Sequence, residues 1–415
     1  MTPEYEVEFL VVGGGPVGTA LALDLCRAGR EVLLIDAGAS PGKVCGEGLL
    51  PPGWEALEAL GVVPLIEEKA AIRELTYQSV CPGDGRLRSI TARIHRRSYG
   101  VRREVLCRAF AQAAEQSGLQ VWRPARFRSF EASSERLQVE VSCSGERRLV
   151  GCRYLLGADG LHSSVRREAG LASPRPRKFS RWGTRIYLRG PSREGVTVTI
   201  GEGVECYQTP LAPDLSGLAF IWYPEQLGRP LPGDGPTWAR LLRRLGPALR
   251  ETLPAESAFF GSEKAIGPLQ QQVLSPLHPG GRIALLGDAG GYFDALTGEG
   301  LCLGLLQAKA LSGLLLRQRL GEYPRLYRAI KRRHHLAVNV LLRLFAHPAL
   351  RERVFVGLDA APEMLQALVE VAVEHRPWHR LLVRDAFRFL LGLAGYPIGR
   401  GQGSARSLGG NPDRG

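Results

Sequence analysis

The chain has 415 residues, 44% of them hydrophobic and 23% charged, and a formal net charge of +13. That length can bury two full cores, and the absence of any stretch of ~18 uninterrupted apolar residues excludes a membrane-spanning helix. The positive charge lies in short arginine groups such as Arg102-Arg103, without the interleaved aromatics of a nucleic-acid platform, so no nucleic-acid partner is expected.

Glu4, Glu6 and Glu8 precede the first apolar run, which argues against a secretory leader. Phe9-Leu-Val-Val12 reads as a buried strand, followed by Gly13-Gly-Gly-Pro-Val-Gly18 and a helix with Ala and Leu at helical spacing. Gly13, Gly15 and Gly18 form G-x-G-x-x-G: a tight turn, a backbone open to a pyrophosphate, and a close helix–strand contact. Pro16 and Val17 occupy the helix start, where free N–H groups face the phosphates. A second strand, Glu31-Val-Leu-Leu-Ile-Asp36, ends in an acid before Ala37, and an acid about 20 residues on is expected to hold an adenosine ribose.

The Gly- and Pro-rich segment that follows contains Lys43-Val-Cys45-Gly-Glu47 and reads as a functional loop or a plain connection. Residues 71–98 alternate as two strands about a Pro-Gly-Asp-Gly turn, and Val101–Ser117 reads as an amphipathic helix led by Arg102 and Arg103. Short antiparallel strands over 126–155 run into Gly157-Ala-Asp159-Gly160-Leu-His-Ser163-Ser-Val-Arg166. Residues 178–270 read as a separate sheet with a covering helix at Trp238–Leu249. The strand Arg282-Ile-Ala-Leu-Leu-Gly287 returns the chain to the first domain and leads into Asp288-Ala-Gly, then Leu-Thr-Gly298-Glu299-Gly300 and a helix to about Leu320. That helix start would turn N–H groups and the positive dipole end toward the loop, with Gly298 and Gly300 admitting close approach and Glu299 near the pocket.

Eight scattered cysteines form no C-x-x-C pair, which suits a reducing cytoplasm and predicts no metal site. The expected fold is α/β: a Rossmann-type domain (1–75, 99–177 and 275–340) with an inserted antiparallel β-sheet substrate domain (76–98 and 178–274). A helical region over 341–398 and a disordered Gly/Arg-rich tail over 399–415 complete the expectation. Leu381–Leu391, apolar with interspersed arginines, is read either as a lid or as a peripheral membrane contact.

Three motifs at the ends of apolar strands, Gly13-x-Gly-x-x-Gly18, Gly157-Ala-Asp-Gly160 and Gly287-Asp288, occur in one order over roughly residues 7–320. Together they resemble the p-hydroxybenzoate hydroxylase-like flavoproteins, a superfamily that includes geranylgeranyl reductases. The resemblance implies FAD, with the pyrophosphate on Gly13, Gly15 and Gly18 and the ribose on Asp36. It further implies that Arg103, or Arg102 beside it, reaches the cofactor, that Asp159 and Gly160 support FAD and the passage of NADH or NADPH, that Asp288 binds the ribityl chain, and that the loop after Asp36 passes near the flavin ring with Cys45 and Glu47 as candidates for the active face. Helix capping is a compatible role for both aspartates. The implied activity is oxygen-dependent hydroxylation of a small hydrophobic or aromatic substrate, with carbon–carbon double-bond reduction as the alternative and non-catalytic flavin binding as a further one. A halogenase would carry a Trp-x-Trp-x-x-Pro segment, which this sequence lacks.

Overall fold

The computed structural model describes residues 3–38, 47–80, 86–133, 135–173, 181–229, 236–246, 249, 253, 258–261, 265–292, 299–332 and 347–372. In chain order the first part comprises β1 (Tyr5–Val12), α1 (Pro16–Arg27), β2 (Val32–Ile35), β3 (Gly48–Leu49), α2 (Pro51–Ala59), β4 (Ala70–Ala71), β5 (Glu74–Val80), β6 (Leu87–Arg93) and β7 (Tyr99–Gly100). There follow α3 (Arg103–Gln116), β8 (Gln120–Trp122), β9 (Ala125–Ala132), β10 (Leu137–Cys143), β11 (Glu146–Gly157) and α4 (Ser164–Glu168).

One sheet runs in the order β8-β2-β1-β11-β10-β9. β1, β2 and β8 are parallel to one another, and the second half of β11 lies parallel to β1. The first half of β11 pairs antiparallel with β10. Continuous apolar runs make the central strands because both faces are buried. Phe9 and Val11 enter a layer with α1, α2 and α3, while Leu10 and Val12 enter the opposite layer with Leu33 and Val139.

The chain then builds β12 (Trp182–Arg189), β13 (Gly195–Ile200), β14 (Val204–Ala212), β15 (Leu215–Trp222), α5 (Pro224–Leu227), α6 (Thr237–Arg244) and β16 (Phe259–Phe260). These strands join the early hairpin in a second sheet, β16-β12-β15-β14-β13-β5-β6. It is antiparallel except where β13 meets β5, and that parallel pair stitches the hairpin onto strands more than a hundred residues downstream. α6 covers one face through Trp238, Leu241 and Leu242, which pack on Phe220 and Trp222.

β17 (Ile283–Leu285) returns beside the second half of β11. α7 (Gly300–Leu316), α8 (323–332), α9 (Pro348–Ala360) and α10 (Pro362–Ala372) follow. α7 stops short of Leu320 because Gln318 takes a left-handed conformation (φ 57°). The N–H groups of Gln318 and Arg319 then bond the carbonyls of Leu315 and Leu314, which closes the helix end. α9 and α10 cover the far end of the second sheet, with Phe355, Leu358 and Leu365 against Leu75 and Ile90. Buried Arg351 fastens this cover: its Nε donates to Ser79 Oγ at 3.0 Å and Nη1 to the Gly201 carbonyl at 3.2 Å. Among the described residues, no helix is long and apolar enough to cross a membrane. The Leu381–Leu391 segment and the 399–415 tail lie outside the described residues.

Candidate functional site

The carboxyl ends of β1, β2, β11 and β17 deliver the three motifs to one cavity of about 1360 Å³. It is lined by Gly13–Val17, Asp36, Ala37, Arg103, Asp159, Gly160, Gly287, Asp288 and Gly300, and so collects residues from six separate elements. Ligands in open α/β sheets bind at this end of the strands.

Local backbone explains the glycine turn. Gly13 has φ 110°, and a Cβ there would lie 2.5 Å from the Ala158 carbonyl oxygen. At Gly18 a Cβ would fall 2.0 Å from the Gly13 oxygen, so any side chain would push α1 off β1. Gly15 is different: the nearest atom to its imagined Cβ is Arg103 Nη2 at 3.8 Å, which leaves its outer side open to the cavity. No side chain caps the start of α1, and none caps α7, whose N-cap is Glu299. Two helix N-termini with positive dipole ends therefore border the same space, as an anionic dinucleotide requires. The residues present fit FAD. Gly13, Gly15 and the first turn of α1 would hold its pyrophosphate and Asp36 its ribose, with Arg103, Gly287 and Asp288 along the remainder.

Arg123, which the sequence did not single out, donates from Nη2 to Asp36 Oδ2 at 2.6 Å. Gly14 was also passed over, yet a Cβ there would lie 2.5 Å from the same carboxylate oxygen. The pairing of Asp36 with Arg123 spans 87 residues and leaves no local signal. Because Arg123 is 48% exposed, Arg123→Ala is expected to change unfolding free energy by less than about 1 kcal/mol. Asp36→Ala should instead weaken FAD binding by about tenfold through loss of the ribose acceptor. Fluorescence titration of the deflavinated variants separates the two effects.

Asp159 turns its carboxylate onto the start of α4. Oδ1 accepts from Ser163 Oγ at 2.5 Å, and Oδ2 from Ser164 N, Ser164 Oγ and Val165 N at 2.6, 2.8 and 3.2 Å. Arg166, buried at 4% exposure, spans from α4 to the third motif. Its Nη1 donates to the Asp288 and Ala289 carbonyls at 3.2 and 3.0 Å, and its Nη2 to the Leu161 carbonyl at 2.7 Å and Gln271 Oε1 at 3.3 Å. One guanidinium thus locks the second motif to the third.

Glu47 stands in a left-handed conformation (φ 59°) and is 3% exposed. Its Oε1 accepts from the Arg103 N–H at 2.6 Å, from Arg185 Nη1 at 2.6 Å and from the Tyr187 hydroxyl at 3.0 Å. Burial pushes its carboxyl above the ordinary value, against the pull of Arg185 and the Arg103 N–H. The residue joins the start of α3 to β12 and does not line the cavity. Glu299 is buried at the start of α7, and its charge, with burial, pushes the Tyr77 phenol up to about 12. Cys45 and Gly298 lie outside the described residues.

Beyond the motifs the cavity reaches the second sheet at Gly183, Tyr207, Ala219 and Ile221, with Ile266, Leu269 and Tyr292 beside them. None of these residues carries a charge. Tyr207 of this wall donates its hydroxyl to Glu205 at 2.8 Å, and Glu205 pairs at 2.7 Å with Arg181, 1% exposed. No group of three or more metal-binding side chains occurs among the described residues.

Residues 6–199 match the FAD binding domain family. The chain is 25% identical over 346 residues to digeranylgeranylglycerophospholipid reductase 1 of Methanothermobacter thermautotrophicus, covering 78% of this chain and 82% of that one. Its fold superposes on a flavoprotein/dehydrogenase of Cytophaga hutchinsonii with TM-score 0.76 at 16% identity, covering 94% and 98% of the two chains. A p-nitrophenol 4-monooxygenase of Pseudomonas putida gives TM-score 0.71 at 17% identity, with 89% and 97% covered. With three motifs at one cavity, an FAD binding domain match and this fold over nearly the whole length, the protein is an FAD-dependent oxidoreductase of the p-hydroxybenzoate hydroxylase-like fold.

Proposed function

We propose that the enzyme takes electrons from NADH or NADPH and uses them to reduce a carbon–carbon double bond in a small hydrophobic substrate of polyprenyl type. The observation that carries this reading is the uncharged wall of Gly183, Tyr207, Ala219, Ile221, Ile266, Leu269 and Tyr292 at the end of the flavin cavity. A charged or strongly hydrated substrate would lose its solvation there without compensation, whereas an alkyl or alkenyl chain gains by leaving water. Similarity over 78% of this chain to a digeranylgeranylglycerophospholipid reductase supports the same chemistry. FAD, when bound, supplies the two-electron step. The chain holds it at the three motifs, directs the N–H groups of α7 at the cavity, and keeps water from the apolar wall.

Oxygen-dependent hydroxylation of an aromatic ring is the second reading. It draws on the complete Asp159–Ser163–Arg166 motif, assembled here as one bonded network. Photoreducing the holoenzyme under argon and adding polyprenyl or aromatic compounds distinguishes the two. Flavin reoxidation by a polyprenyl compound without oxygen, with a product two hydrogens heavier, is expected. Reoxidation only on admitting air, with an aromatic product one oxygen heavier, would replace the reductase reading with the hydroxylase one.

A further inference from the structure

The turn Gly287–Gly291, which carries the third motif, has its carbonyls held by side chains from two directions. Arg166 takes those of Asp288 and Ala289. From the other side comes α8, where Tyr323, Tyr327 and Lys331 recur every fourth residue and so share one helix face. The Tyr323 hydroxyl donates to the Leu285 carbonyl at 3.0 Å, the Tyr327 hydroxyl to Gly290, and Lys331 Nζ to Gly291 at 2.5 Å. Lys331 Nζ also donates to the Tyr327 hydroxyl at 2.7 Å and lies 4.8 Å from its ring centre. The result is a relay from ammonium to phenol to the Gly290 carbonyl, one residue pair beyond Asp288.

Lys331 is 7% exposed, and the hydrogen-bond partners of its ammonium among the described residues are the Gly291 carbonyl and the Tyr327 hydroxyl. Among the described residues, the titratable and charged groups facing it are Tyr327 on its own helix and, across the turn, Arg166 of α4, which opposes the upward push that burial gives the Tyr327 phenol. From the turn itself Asp288 presents its carbonyl to Arg166. A buried ammonium with neutral partners is costly, and burial lowers Lys331 to about 7. That cost falls if an anion arrives nearby, and a dinucleotide brings two phosphates into the cavity that Gly287 and Asp288 line.

We propose that Lys331 is a positioning residue of the flavin site: through Gly291, and through Tyr327 to Gly290, its ammonium holds the Gly287–Gly291 turn in the form that receives the anionic cofactor, so that FAD binding and protonation of Lys331 are linked. The coupling is reciprocal: if protonation strengthens FAD binding, FAD binding raises the affinity of Lys331 for its proton. It is independent of the substrate chemistry.

The sign is definite. Burial lowers Lys331 to about 7 in the absence of FAD, so part of the population is expected to take up a proton as the anionic cofactor binds. Calorimetric titration of the deflavinated full chain with FAD, in buffers of different ionisation enthalpy, should show uptake of about half a proton per FAD at pH 7, rising with pH. The Kd should increase by about tenfold from pH 7 to 8.5. Lys331→Arg, with a charge that does not titrate, should bind FAD with no such uptake and a flat pH profile. Lys331→Met should also lose the uptake, with binding weak throughout the range. His162, which also lines the cavity, is the control: His162→Gln should retain the uptake. Native protein without proton uptake, uptake persisting in Lys331→Arg, or uptake abolished by His162→Gln would each overturn the proposal.

Discussion

Replacing Arg166 by methionine is expected to lower the unfolding free energy of the deflavinated protein by about 3–5 kcal/mol and to abolish FAD retention on gel filtration. Methionine fills much of the same volume, so the effect comes from lost hydrogen bonds. The carbonyls of Leu161 and Ala289 would lose the guanidinium donor that each now has inside the protein, while the Asp288 carbonyl would keep only the Gly291 N–H. Each buried acceptor left unsatisfied costs about 1–3 kcal/mol, and water cannot enter such a site freely. Arg166→Lys should rescue little. An ammonium is a single point, and it cannot span the two directions that the planar fork reaches at once. Urea unfolding of the apoprotein measures the first effect, and flavin absorbance in the eluted peak the second. A loss of less than about 1 kcal/mol would mean that the second and third motifs are held together by something other than this side chain.

That network shows what the sequence could and could not reveal. The strand ends were legible because parallel strands buried on both faces read as unbroken apolar runs, as in Val32–Ile35, and because the turn after β1 tolerates only glycine at Gly13 and Gly18. Ser163 and Arg166 could be seen as parts of a motif. The carbonyls that Arg166 grips could not, since they belong to a turn 122 and 123 residues away. Arg123 on Asp36 and Lys331 under Gly291 escaped for the same reason: each is an ordinary surface-type residue in its own segment and gains meaning only through a distant backbone. Alternation in residues 74–93 announced two strands. Nothing local stated that β5 would run parallel to β13, because period-2 patterns specify a face and not a neighbour. Tyr323, Tyr327 and Lys331 share one helix face, whose partner is set by how α8 packs beneath β17.

Arg185→Met is expected to produce a stability deficit that grows with pH, which tests the buried contact between the flavin domain and the second sheet. The pair is fully enclosed, with Arg185 and Glu47 side chains 9% and 1% exposed. Breaking such a pair from one side leaves an uncompensated charge and costs about 3–5 kcal/mol. The pH dependence follows from the carboxyl that remains. Burial already raises Glu47 above its unfolded value, and Arg185 is the largest influence opposing that rise. An acid whose folded value is raised adds stability at low pH and loses it as pH rises through that value. Without Arg185 the folded value climbs further, so the variant's disadvantage should be larger at pH 8 than at pH 5, by urea unfolding of the deflavinated protein. Glu47→Gln leaves the guanidinium buried instead and should also destabilise at pH 8. The Glu47→Gln/Arg185→Met double variant removes both charges, and its loss should fall well short of the sum of the single losses. Additive losses, or a deficit independent of pH, would show that Glu47 and Arg185 are not coupled and that the contact between α3 and β12 rests on the neighbouring apolar packing alone.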